Sequence, residues 1–207
     1  MFDVFQGLTA LDHGAMDLTQ SLRIEPLTEA FVVLSAWWVK GPLLVGLGVC
    51  GDLKHIIDRL RAGERRLIDR LRAGGARLLF PLAAACAAVA FFIASGLNAL
   101  IKDAVDRQRP PEEMSGFDAA VALPGSHSFP SGHAMSAFAV ATAIAVIRPS
   151  LRWPALGIAT LVALSRPYLG VHFWLDVIIG AGLGALCGLA VASLGKRLAR
   201  APVGQPS

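Results

Sequence analysis

Charge is scarce in this chain. Only 16% of its 207 residues are Asp, Glu, Lys or Arg, against 55% hydrophobic, too little for the polar surface of an ordinary soluble domain. Cysteine is scarce as well: Cys50, Cys86 and Cys187 fall in apolar runs, with no CxxC pair and no histidine at metal-ligand spacing. That excludes a disulfide framework and a metal site, and the three are expected as small buried packing residues. The start lacks the basic stretch and unbroken apolar run of a signal peptide, and carries Asp3, Asp12 and Asp17 instead. The net charge of +4 is distributed in the connecting segments between apolar runs, as membrane topology requires, so no nucleic-acid partner is expected.

What the chain has is hydrocarbon. Residues 78–101 hold no charge across 24 positions, 177–195 none across 19, and 30–51 is interrupted only by Lys40. A bilayer core of about 30 Å takes about 20 helical residues to cross. Two shorter runs, 134–147 and 153–165, reach that length with the polar residues beside them. The pattern predicts an all-α fold, a polytopic transmembrane helical bundle of about five spans: 30–51, 78–101, 131–147, 151–167 and 171–195. Residues 1–29, with Phe2, Phe5, Leu8, Leu11, Met16 and Leu18, are expected as an interfacial helix, with a solvent-exposed arm as the alternative. Residues 30–198 then form the transmembrane domain, and 199–207 a cytoplasmic tail.

The few charges set an orientation. Residues 51–77 carry Lys54, Arg59, Arg61, Arg65, Arg66, Arg70, Arg72 and Arg77 against four acids, whereas 1–29 carries five acids against Arg23. By the positive-inside rule the 51–77 loop, the turn at Arg148 and Arg152, and the tail are cytoplasmic. A near-repeat in that loop, residues 58–63 and 69–74, puts two basic clusters on one helix side at an 11-residue offset. In the last span Gly180, Gly184 and Gly188 recur every four residues, a stripe that admits a close neighbouring helix. Lys40, just after Trp37 and Trp38, is expected either to snorkel at an interface or to meet a lipid phosphate.

Three short stretches hold the reactive side chains. His172 and Asp176 are four apart, hence on one helical face, where the carboxylate can accept from one ring nitrogen and leave the other with a lone pair. Arg166 ends an apolar run, where a cation needs an anion or water. In Pro130-Ser131-Gly132-His133 a helix begins, and its free N–H groups, the Ser131 hydroxyl and the glycine favour a bound anion. Lys102 and Arg109 bracket the outer end of the second span before Pro110-Pro111. Each stretch alone has a plain structural explanation; together they supply three cations, two imidazoles and a carboxylate, all on the outer side of the expected topology.

Lys102-x6-Arg109-Pro110, then Pro130-Ser131-Gly132-His133, then Ser165-Arg166-x5-His172-x3-Asp176 resembles the three-part signature of the type 2 phosphatidic acid phosphatase (PAP2) superfamily, which also includes the vanadium haloperoxidases. The resemblance covers about residues 78–195. It implies a bacterial lipid phosphatase of the inner (cytoplasmic) membrane, without metal or other cofactor, with its site facing the periplasm or extracellular side. It further implies His172 as nucleophile oriented by Asp176, His133 as acid and base, and Lys102, Arg109, Ser131, Gly132 and Arg166 holding the phosphate. The implied substrate is a membrane lipid phosphate or diphosphate, such as undecaprenyl diphosphate, phosphatidylglycerol phosphate or phosphatidic acid. A lipid phosphotransferase, a vanadate-dependent haloperoxidase and a non-enzymatic scramblase are the alternatives.

Overall fold

A computed structural model of the chain describes residues 2–34, 44–61 and 82–200. Every regular element among them is helical: α1 (Phe2–Ser21), α2 (Glu25–Leu34), α3 (Leu44–Arg61), α4 (Leu82–Val105), α5 (Gly132–Ile147), α6 (Arg152–Tyr168) and α7 (Trp174–Arg200), with single turns at Pro110–Glu113 and Pro149–Leu151. Trp37, Trp38, Lys40, the basic repeat beyond Arg61 and the last seven residues lie outside the described residues.

Local chemistry sets the boundaries. Ser131 has the extended backbone of an N-cap (φ −67°, ψ 110°) immediately before α5. Pro149 separates α5 from α6. Beyond α6, Gly170 takes φ +77°, the left-handed conformation that closes a helix and that side chains resist. Residues 51–61 differ from expectation: they continue α3 rather than opening a loop, because no glycine or proline interrupts 52–62.

α5 is the central helix. Ala134, Met135, Ala137, Val140, Ala141 and Ile144 are all fully buried, so it is apolar around its whole circumference, as a core helix must be. α4, α6 and α7 surround it. The glycine stripe of α7 lies against it: a Cβ on Gly180 would stand 2.7 Å from the Ser131 carbonyl oxygen, and on Gly184 or Gly188 would overlap those of Met135 and Ala139. The stripe thus serves packing within the bundle.

The bundle wears its hydrocarbon outside. Phe92 and Leu100 on α4, Trp153 on α6 and Leu186 on α7 are 64–71% exposed. The apolar windows of α4 and α7, with mean hydropathy 2.0 and 2.2, are only 33% and 28% buried, whereas a soluble core helix would be mostly covered. Among the described residues these two helices are long and apolar enough to cross a bilayer, and α5 is a shorter apolar helix; the expected count of about five goes further than these. Cys86 is buried, Cys187 half-buried and Cys50 exposed. Cys50 therefore departs from the buried role expected of it, because no described element covers its face of α3.

At one end of the bundle Asp52, 1% exposed, accepts from the amides of Ala83 (2.9 Å) and Ala84 (3.2 Å) at the start of α4 and from Arg148 Nε (2.8 Å). One buried carboxylate thereby joins α3, α4 and the α5–α6 turn. The reactive stretches gather at the other end.

Candidate active site

Three chain segments meet at that second end. The last turn of α4 carries Lys102, which is buried and whose ammonium donates to the His127 carbonyl. The chain then turns through Asp106, at φ 52°, whose carboxylate sits 2.7 Å from His127 Nδ1. Ser128 N donates to the Arg107 carbonyl (2.8 Å), and Ser131 N to that of Asp176 (3.0 Å). These two backbone bonds fasten the segment before α5 to both flanking segments.

Arg109, only 2% exposed, joins the remaining pieces. Its Nε donates to the Ser126 carbonyl (2.9 Å) and its Nη1 to that of Val171 (2.5 Å), with Nη1 also 3.5 Å from His172 Nε2. Carbonyl oxygens therefore occupy much of the fork that the sequence assigned to a phosphate, while one edge stays beside the imidazole.

A cavity of about 280 Å³ opens here, lined by Lys102, Arg109, Gly132, His133 and His172 together with Asn98 and others. Two of the three stretches and His172 of the third contribute, so both histidines line the same space. Gly132 is constrained by Asn98: a Cβ would stand 2.8 Å from Asn98 Oδ1, and Asn98 Nδ2 donates to the Pro130 carbonyl (3.0 Å). Ser131, Arg166 and Asp176 are buried but are not among the residues lining the cavity. Among the described residues Ser131 Oγ and Arg166 Nε are buried with no hydrogen-bond partner, which is costly unless an anion or water takes the proton offered.

Behind His172 stands a polar knot that the sequence only partly foretold. Asp176 Oδ2 lies 3.7 Å from His172 Nδ1, longer than a hydrogen bond. It accepts instead from Ser128 Oγ (2.5 Å) and Phe173 N (3.0 Å), and Ser128 Oγ is 3.5 Å from His172 Nδ1. Asp176 Oδ1 accepts from Arg107 Nη1 (2.7 Å), and Arg107 Nη2 reaches Asp12 (3.0 Å). Ser128, Arg107 and Asp12 were missed as site residues. The available signal was Asp12's spacing from Met16 and Thr19, which sets an acid on the buried stripe of α1.

Burial is the main force on His172. Removal from water pushes its pKa from 6.5 to about 4, with Arg109 and Arg166 acting the same way and Asp176 opposing. The ring is neutral at physiological pH, with one nitrogen lone pair available.

The sequence model of the PAP2 superfamily matches residues 83–200. Decaprenylphosphoryl-5-phosphoribose phosphatase of Mycobacterium tuberculosis is 39% identical over 110 residues, 53% of this chain and 60% of its own length. Phosphatidylglycerophosphatase B of Bacillus subtilis is 35% identical over 115 residues, 50% and 54% of the two chains. The matches thus span less than two thirds of these relatives. A transmembrane PAP2-type phosphatidylglycerolphosphate phosphatase from Bacillus subtilis has a solved structure that superposes with a TM-score of 0.62 at 26% identity, covering 94% of this chain and 89% of that one.

Proposed function

The chain belongs to the PAP2 superfamily, and from that membership and the shared cavity we propose that it is an integral membrane phosphatase acting on a lipid phosphate or diphosphate at the extracytoplasmic face. The observation that carries this reading is that two histidines, His133 and His172, line one cavity with Lys102 and Arg109. Two of the named relatives act, by their names, on decaprenylphosphoryl-5-phosphoribose and phosphatidylglycerophosphate, both lipids that bear a phosphate.

The reaction runs in two displacements. With its Nδ1 side turned to Ser128 and Asp176, His172 attacks phosphorus through Nε2. The P–O bond to the lipid breaks, and His133 gives its proton to the departing oxygen. His133 then takes a proton from water, whose oxygen displaces phosphate from His172. Lys102, Arg109 and Arg166, with Ser131 and the Gly132 backbone, offset the charge that spreads over the equatorial oxygens. Such a reaction is catalysed chiefly by positioning and electrostatics. The positive charge comes from side chains, so activity is expected to persist in excess chelator.

Purified full-length protein, incubated in detergent with phosphatidylglycerol phosphate, phosphatidic acid and undecaprenyl diphosphate, is expected to release phosphate from at least one. His172→Ala is expected to abolish release. Lys102→Ala should cost about 3–4 kcal/mol of transition-state stabilisation, or 10²–10³ in kcat, as for a lost oxyanion donor. No release from any of the three lipids would defeat the proposal.

A further inference from the structure

α1 belongs to the bundle's polar end rather than only to its surface. Met16 is fully buried against Phe117 and Phe173, and Thr19 Oγ1 accepts from Trp174 Nε1 (3.0 Å). Asp12, 6% exposed, does two things at once. Its Oδ1 accepts from the amide of Leu175 in the first turn of α7 (3.2 Å), and its Oδ2 holds Arg107 Nη2 (3.0 Å). Arg107 packs over the Phe173 ring, 4.0 Å from its centroid, and turns its other nitrogen to Asp176 Oδ1 (2.7 Å). The result is a chain of groups running from Asp12 through Arg107 and Asp176 to His172.

We propose that Arg107 and Asp12 are positioning residues for the reaction, fixing the Asp176 carboxylate so that its second oxygen serves the His172 side of the site. This rests on the phosphatase reading above. A carboxylate on the first turn of α7 can rotate about its own side chain, and Ser128 and Phe173 N hold only Oδ2. Arg107 is what holds Oδ1. Asp12 in turn keeps the guanidinium in place and supplies the negative charge that lets a cation sit between two buried acids. Neither residue lines the cavity with the imidazoles, so each acts through Asp176. The N-terminal helix is thereby a working part of the site, although it lies outside the region matched to the superfamily.

The test uses full-length protein and dioctanoyl phosphatidic acid as a dispersible probe, with release from the three longer lipids run in parallel. Arg107→Met is expected to lower kcat about 10–100-fold with KM within about twofold, by analogy with the loss of the hydrogen-bond partners that orient metal-ligating histidines. Asp12→Asn moves kcat the same way by a smaller factor. In an Asp176→Asn background the Arg107→Met change is expected to add less than about twofold, because its route is already cut. An equal loss in both backgrounds, or kcat unchanged in Arg107→Met, overturns the proposal. Should Arg107→Met fail to fold, the near-isosteric Asp12→Asn gives the same cycle. The ring carbon resonances of 13C-labelled His172 supply a reading independent of turnover: both variants are expected to shift them, and unmoved resonances overturn the positioning role even if no lipid is hydrolysed. Absent hydrolysis with shifted resonances removes the functional proposal alone.

Discussion

At the scale of single residues, the proposed mechanism depends on the burial of one imidazole. Attack requires His172 without its second proton, and its pKa of about 4 means protonation blocks it only as pH falls through that value, not through the ordinary 6.5. In 13C-histidine-labelled enzyme without substrate, the resonance lost in His172→Gln is expected to titrate near pH 4; a midpoint near 6.5 would place the ring in contact with water. Ser128 is the least conspicuous member of the group in sequence and one of the best connected in space, 2.5 Å from Asp176. Nothing in the run from Ser126 to Phe129 distinguishes it, because its role comes from a fold that brings residue 128 to residue 176.

At the scale of elements, the contact between α5 and α7 sets the site's dimensions. It determines how close His133, on the first turn of α5, lies to Asp176, on the first turn of α7. Gly184→Leu would drive a side chain into the Met135 carbonyl and is expected to destabilise by about 3 kcal/mol or more, since backbone yields less than a side chain. Gly182→Leu, where a Cβ meets nothing within 4 Å, should leave thermal unfolding in detergent nearly unchanged; equal losses would contradict this packing. Here the sequence was informative: a four-residue glycine period and uncharged runs mark helices that pack closely, and α4 to α7 lie within a few residues of the expected segments. The three motif stretches were also legible, since cations beside apolar runs stand out. What stayed hidden were pairings across long sequence separations, such as Asp12 with Arg107 and Asp52 with Arg148, because a charge in a sequence looks the same whether it becomes buried or solvated. Equally hidden was that carbonyl oxygens engage part of the Arg109 fork.

At the scale of the molecule, two buried ionic clusters lie at opposite ends of an apolar bundle. The Asp52–Arg148 cluster fastens three helices far from the cavity. Arg148→Ala would leave Asp52 buried without its cation, and the expected cost is about 3–5 kcal/mol of stability; the surviving folded enzyme should keep its kcat. A kcat that falls in step with stability would tie that end to the chemistry. The orientation proposed from the positive-inside rule makes this end cytoplasmic and would set the cavity on the outer face, where a lipid headgroup can meet it. The central claim is that His172 carries the phosphoryl group and His133 manages the protons. Rapid quenching of the enzyme with 32P-labelled lipid phosphate tests it most directly. The expected result is an acid-labile, alkali-stable phosphoprotein in the wild type and none in His172→Ala. Turnover without any labelled protein, or label undiminished in His172→Ala, would contradict the account.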